Sequence, residues 1–386
     1  MYLSSLELRG FRNYRALQCA LSPGINLIYG ANGQGKTNLI ESVYYMSIGK
    51  TYRQVKDEHL VRWGEAFFRI IGSIESRHGK TTIEARFAKE ENPSKTISTG
   101  GVRLAKLEEI SGVLTTILFS PESMSIIKGA PQERRRFLNY DISQISLPYS
   151  ASLHRYERLL AQRNALLKRL SLAPMPLHEK RERLSVWDQQ IVEHAAGIIE
   201  KRIRFIDKLT PLVRLIHRKL TDGKENMELQ YLLHAKNGIQ VKRDDTGKWD
   251  IEGFLREVCH HTLEEDLKRG TTQWGPQRDD IKVVLDGTDM RHYGSQGQQR
   301  TGVLSLKLAE LEIFRGETGE YPILLLDDVM SELDENRQQQ LLKFIDEKNI
   351  QCIITATEAK NPYFHEKRQA KQFIVWGGEI HEQNVM

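Results

Sequence analysis

Apolar residues from Leu3 to Leu8 have the spacing of a strand, and the run Ile25-Asn26-Leu27-Ile28-Tyr29 reads as a buried strand ending at a glycine-rich turn. Directly after the turn, Leu39, Ile40, Val43 and Tyr44 recur at helical spacing between Thr37 and Ser47, and Gly49 supplies a stop. Phe67 to Ser76 and Thr81 to Ala88 flank His78-Gly79-Lys80 and predict a hairpin, and Leu114 to Phe119 predicts a further strand. From Tyr149 the period changes. Leu159, Leu166 and Leu170 form one helical stripe, and Leu184, Trp187, Ile191, Ala195 and Ile198 form another. Pro174 and Pro176 lie between the stripes and mark the hinge of an antiparallel pair, while Pro211 predicts a kink or restart in the second arm. Strand text returns at Met227 to Leu233 and Gly238 to Arg243, followed by a helix capped by Asp250. Two apolar strands, Ile323 to Leu326 and Ile350 to Ala356, precede a last hairpin around Gly377-Gly378.

This order predicts one α/β domain interrupted by a helical insertion: residues 1–145 and 271–386 build the domain, and 146–270 the inserted lobe. At 386 residues the chain exceeds one ordinary domain, and with 39% hydrophobic residues it carries enough apolar mass for a sizeable core. No apolar run approaches the ~18 residues of a membrane helix and no signal-peptide layout opens the chain, so a cytoplasmic protein with no membrane partner is expected. The three cysteines, Cys19, Cys259 and Cys352, stand too far apart for a zinc or disulfide framework. The net charge of +5 says little, but residues 151–220 carry 15 Lys/Arg against 7 Asp/Glu, an excess of 8. A local basic surface follows, with Arg155, Arg158 and Arg163 as candidates for phosphate contact; a solvated helical face is the competing reading.

Chemistry concentrates at three places. Gly30-Ala31-Asn32-Gly33-Gln34-Gly35-Lys36-Thr37 matches the P-loop pattern GxxxxGK[ST] at every required position, between a predicted strand and a predicted helix. Its glycines let backbone N–H groups turn onto phosphates, Lys36 would reach the β- and γ-phosphates of ATP, and Thr37 would ligate Mg2+. Ile323 to Leu326 ends in two carboxylates: Asp327 would hold the metal, and Asp328 would orient or deprotonate the attacking water, although two aspartates after a strand can also simply cap a turn. Ser295-Gln296-Gly297-Gln298 opens a third predicted helix, where Ser295, Gly297 and Gln298 could form a second anion site or only a helix cap.

P-loop, then Ser-x-Gly-Gln, then the acidic strand, then Ser331-Glu332-Leu333-Asp334 resembles the order of an ABC-type ATPase head. Phe11-Arg12-Asn13-Tyr14, Glu133-Arg134-Arg135-Arg136-Phe137-Leu138 and Gly275-Pro276-Gln277-Arg278-Asp279-Asp280 narrow the resemblance to the bacterial RecF family, nearly end to end and weakest between about 171 and 248. It implies an ABC-type head with a short coiled-coil-like arm, Arg12 among the nucleotide-binding residues, and Ser295 acting on the nucleotide of a second subunit. Three departures stand out: Asp328 where most ABC ATPases have glutamate, as RecF-like chains do; Gln277 where histidine is common; and Thr357-Glu358 with no histidine at the usual switch position. The resemblance further implies a slow, DNA-stimulated ATPase that dimerises on ATP and clamps gapped, single-stranded or junction DNA. RecR and RecO would be its partners, and it would help RecA load during recombinational repair, replication restart and the SOS response. The alternative is the ATPase subunit of a membrane transporter. The 259-residue interval from Lys36 to Ser295 (295 minus 36) is far longer than such heads have, and shorter than SMC-type chains have.

Overall fold

The structure is a computed structural model that describes residues 1–53, 55–89, 94–234, 241, 249–358 and 370–383. Its strands are β1 (Tyr2–Phe11), β2 (Tyr14–Ala20), β3 (Ile25–Tyr29), β4 (Phe67–Ser76), β5 (Gly79–Ala88), β6 (Ser94–Thr99), β7 (Val102–Arg103), β8 (Thr116–Phe119), β9 (Met227–Leu232), β10 (Asp280–Leu285), β11 (Thr288–Asp289), β12 (Ile323–Asp327), β13 (Cys352–Ala356), β14 (Lys371–Trp376) and β15 (Glu379–Gln383). The helices are α1 (Lys36–Ile48), α2 (Ser125–Lys128), α3 (Pro131–Ile145), α4 (Leu147–Leu172), α5 (Leu177–Leu220), α6 (Ile251–Arg269), α7 (Met290–Tyr293), α8 (Gln296–Thr318) and α9 (Glu335–Glu347).

Two units emerge. The first holds residues 1–124, 212–226 and 295–386. One of its sheets is antiparallel, in the order β2-β1-β4-β5-β6-β7; the other runs β15-β14-β3-β13-β12-β8 and is parallel from β14 to β8. The inner strands of the parallel sheet, β3, β13 and β12, are mostly apolar and buried along almost their whole length, as strands covered on both faces are. Helix α1 packs against strands of both sheets through Leu39, Ile40 and Val43, and Gly49 ends it in a left-handed cap at φ 66°. Strand β2 is among the elements the apolar spacing did not predict, because Tyr14, Leu17 and Cys19 alternate too briefly to stand out.

The second unit holds residues 125–211 and 227–294. Its outer borders lie beyond the expected 146 and 270 for a physical reason, while 212–226, inside that span, belongs to the first unit. Arg134 of α3 forks onto Asp280 of β10 at 2.7 and 2.8 Å, and Arg135 donates to Asp279 O at 2.8 Å, so the arginine run and the Gly-Pro-Gln-Arg-Asp-Asp box fold as one piece. Leu167, Leu170, Leu184, Leu263 and Leu267 pack the arms α4 and α5 onto α6. Pro174 and Pro176 sit in the turn between the arms, and Asp250 caps α6 by accepting from Gly253 N at 2.8 Å. Of the kink or restart expected at Pro211, the restart does not occur, and α5 runs through the proline. The proline removes one backbone donor, but Leu209 and Val213, fully buried on either side, keep the helix seated. Of the expected strand at 238–243 only residue 241 is described, and the rest lies outside the described residues.

Arg163 also departs from expectation. It has no exposed surface, donates to Asp188 at 2.6 Å and to Asp266 at 2.7 Å, and stacks over Trp274, so it cannot contact DNA. Burial pushes the Asp266 carboxyl up, and the Arg163 guanidinium draws it back down. Arg163→Met would strand a fully buried carboxylate and is expected to cost about 3–5 kcal/mol. A urea denaturation midpoint equal to the parent's would overturn that account.

Candidate functional site

The P-loop stands at the carboxyl end of β3, the edge where parallel α/β sheets bind ligands. Gly30, Gly33 and Gly35 take φ values of 151°, 79° and 117°, reserved in practice for glycine. A Cβ on Gly30 would strike Val375 O, and one on Gly35 would strike Asn13. The loop is braced from outside: Asn13 Nδ2 donates to Gln34 O at 2.7 Å, Tyr14 OH to Gly35 O at 3.0 Å, and Gly377 N to Gln34 Oε1 at 2.7 Å. Lys36, 7% exposed, donates to Gly30 O at 2.6 Å and Ala31 O at 3.0 Å. Burial lowers its pKa, opposed by the charges of Asp328 and Asp327.

Two strands away, β12 ends at the acidic pair. Thr37 Oγ1 donates to Asp327 Oδ1 at 2.9 Å, Thr355 Oγ1 to the same oxygen at 2.8 Å, and Tyr52 OH to Oδ2 at 3.3 Å. Burial pushes the Asp327 carboxyl up, and the hydroxyls of Thr355 and Thr37 pull it down. An almost fully buried carboxylate bonded to hydroxyls, with no directly bonded cation among the described residues, is a hard-oxygen group suited to Mg2+. Asp328 follows at φ 55°, a left-handed conformation that aspartate and asparagine tolerate better than glutamate. Its backbone N–H donates to Thr355 Oγ1 at 2.9 Å, and among the described residues its carboxylate accepts no hydrogen bond. Lys36, Thr37, Asp327 and Asp328 thus come together as the motif order implies.

Arg12 takes a different position. Its guanidinium forks onto Glu41, a residue with no exposed surface, at 2.8 and 2.9 Å, and its Nη1 donates to His59 O at 3.2 Å. It nonetheless lines a cleft of about 440 Å3 with Asn13, Asn38 and Trp63, and Asn38 bonds to the same Asn13 that braces the P-loop. Tyr52, Thr355, Asn13 and Glu41 escaped the motif reading because each acts through a partner distant in sequence; only Asn13 stood in a segment already singled out.

Ser295 is the N-cap of α8. Its Oγ accepts from Gln298 N at 3.2 Å while Gln298 Oε1 accepts from Ser295 N at 2.8 Å, a reciprocal capping box. Among the described residues its side chain bonds to Gln298 alone and to nothing in the P-loop. Ser295, Gln296 and Gly297 are exposed, and a Cβ on Gly297 would meet nothing closer than 4.0 Å, so the fold itself does not require glycine there. Arg300 at the same end of α8 pairs with Glu332 at 2.8 Å, joining this segment to the loop after β12. In the second unit, Arg155 and Arg158 project from α4 as exposed residues.

Residues 2–375 match the family model described as RecF/RecN/SMC N terminal domain. The chain is 41% identical over 357 residues to the DNA replication and repair protein RecF of Heliobacterium modesticaldum, covering 92% of each chain. It is 40% identical over 382 residues to the protein of that name from Clostridium tetani, covering 99% of this chain and 100% of the relative. Two solved structures, described as the recombination mediator protein RecF-ATPrS and RecF-ATP in the RecFOR pathway, are 35% identical with TM-scores of 0.88, over 99% of this chain and 98% of theirs. SMC head structures, at 14% and 16% identity and TM-scores of 0.56, share the fold.

Proposed function

This chain belongs to the RecF family, and we propose that it is a DNA-repair ATPase that binds ATP with Mg2+, closes into a homodimer and clamps DNA at single-strand gaps. The observation that carries this reading is the convergence of Lys36, Thr37, Asp327 and Asp328 at one sheet edge, together with an exposed Ser295 whose oxygen is engaged only in its own helix cap. The P-loop backbone and Lys36 hold the phosphates. Thr37 and Asp327 are the residues that would hold Mg2+, which when bound neutralises charge on the transferring phosphoryl group. Asp328 orients or deprotonates the attacking water, and its short reach makes turnover slow and dependent on the closure that DNA favours.

Ser295 serves the partner protomer's nucleotide, so closure completes two composite sites and hydrolysis reopens them. RecR and RecO are the proposed partners, as named for the pathway of the structural relatives, and RecA loading is the proposed outcome in recombinational repair, replication restart and the SOS response. The cytoplasm, where the chromosome lies, is the proposed place of work. A transporter subunit is disfavoured by the family membership. Analytical ultracentrifugation with ATP, with ADP and without nucleotide, each with and without gapped DNA, tests the clamp: dimers that form with ADP as readily as with ATP would overturn it.

The exposed basic residues of α4 supply the phosphate contacts. DNA affinity is expected to fall with salt at a log–log slope of about −0.9 per contact, and Arg155→Glu with Arg158→Glu should flatten it. Equal slope and affinity in fluorescence anisotropy would return α4 to a solvated surface.

A further inference from the structure

The turn after α5 carries Glu225 to the start of α8. Gln298 Nε2 donates to Glu225 Oε1 at 2.9 Å, and Glu225 Oε2 faces His217 Nε2 at 3.1 Å. His217 has no exposed surface, and its Nδ1 stands 2.9 Å from Ser305 Oγ. Ser305 already gives its hydroxyl hydrogen to Thr301 O at 2.8 Å, so Nδ1 is the donor in that pair, and it is the imidazolium form of the ring that donates from Nε2 to Glu225 as well. Both ends of the chain Gln298, Glu225, His217 and Ser305 thus lie on α8.

This arrangement resolves an ambiguity that a capping box leaves open. The Gln298 amide can rotate to present either its oxygen or its NH2 group, and only the oxygen can accept from Ser295 N. A carboxylate placed on the NH2 side selects that rotamer. With Gln298 fixed, the Ser295 Oγ acceptor is occupied by Gln298 N while its hydroxyl hydrogen stays available to an oxyanion.

We propose that Glu225, braced by His217, is a positioning residue for Ser295. It sets the orientation of the Gln298 amide and so holds the Ser295 hydroxyl and the first turn of α8 in the geometry that receives the phosphate bound by the partner protomer. The inference rests on the role proposed above for Ser295 across the dimer.

Glu225→Ala tests it in the full chain. Monomer affinity for ATP, read with a fluorescent nucleotide, should equal the parent's. The ATP-driven dimer should weaken roughly tenfold, about what one charge-assisted hydrogen bond supplies, and kcat should fall with KM little changed. Glu225→Gln, whose amide oxygen can still accept from Gln298, should recover part of both losses. Glu225→Ala combined with Gln298→Ala should be no weaker than Gln298→Ala alone, because the two residues act in one chain. A Glu225→Ala chain that dimerises as the parent does, or that loses monomer ATP binding in step with dimerisation, overturns the inference and leaves the clamp standing. A parent chain that stays monomeric with ATP instead overturns the clamp, and the inference falls with it.

Discussion

Lys36→Ala is expected to abolish ATP-driven dimers. Lys36 is the P-loop's one charged side chain, and a nucleotide bound there would draw its Nζ from the carbonyls of Gly30 and Ala31 onto the phosphates. Each charge-assisted contact is worth about 1.5–3 kcal/mol, so affinity should fall roughly tenfold to a hundredfold or more. The fold should survive, since the two carbonyls are only part-buried and can turn to water. Asp328→Asn should part binding from chemistry. At φ 55° asparagine is as comfortable as aspartate, and Asp328 N keeps its bond to Thr355, so the loop after β12 stays in place. What is lost is the proton acceptor, worth about 10²–10⁴ in rate. Nucleotide should bind, hydrolysis should stop, and dimers should persist on DNA. Parental ATP turnover by the asparagine variant, measured by phosphate release, would show that another group handles the water.

What the sequence made legible follows from how local each signal is. The P-loop is written in eight consecutive residues, and its conformation is dictated by glycines that no other residue could replace at φ 151° or 117°. The acidic strand and the capping box at Ser295 are equally local. The structure adds what lies between them. Thr355 on β13, the strand between β3 and β12, ties Asp327 to the backbone of Asp328, and no spacing rule announces a threonine 28 residues downstream. Arg12 and Glu41 form a buried fork, so the arginine's guanidinium is committed before any nucleotide arrives. Charge counting misled most at Arg163. A basic residue on a helix reads as surface until a second helix brings Asp188 and Asp266 against it, and that meeting depends on packing among α4, α5 and α6.

Ser295→Arg should leave ATP binding by the monomer nearly intact and eliminate dimers. Its own protomer loses only a helix cap by the change. Ser295 is exposed, its side chain bonds among the described residues only to Gln298, and its replacement should cost about 1 kcal/mol, which α8 can absorb because Val303, Leu304, Leu308 and Leu311 anchor it in the core. Across the proposed interface the same change places a long cation where a phosphate and a close-fitting loop must meet, so closure fails for steric reasons that ATP cannot offset. Complementation makes the argument quantitative. A Ser295→Arg chain mixed with a Lys36→Ala chain yields heterodimers in which one composite site combines the intact Lys36 of the first chain with the intact Ser295 of the second, while the other site is spoiled twice. Part of the dimer signal and some ATPase activity should therefore return, although neither variant alone shows them. If Ser295→Arg instead weakens ATP binding to the monomer as severely as Lys36→Ala does, Ser295 acts on the nucleotide of its own chain and closure across two protomers loses its principal residue.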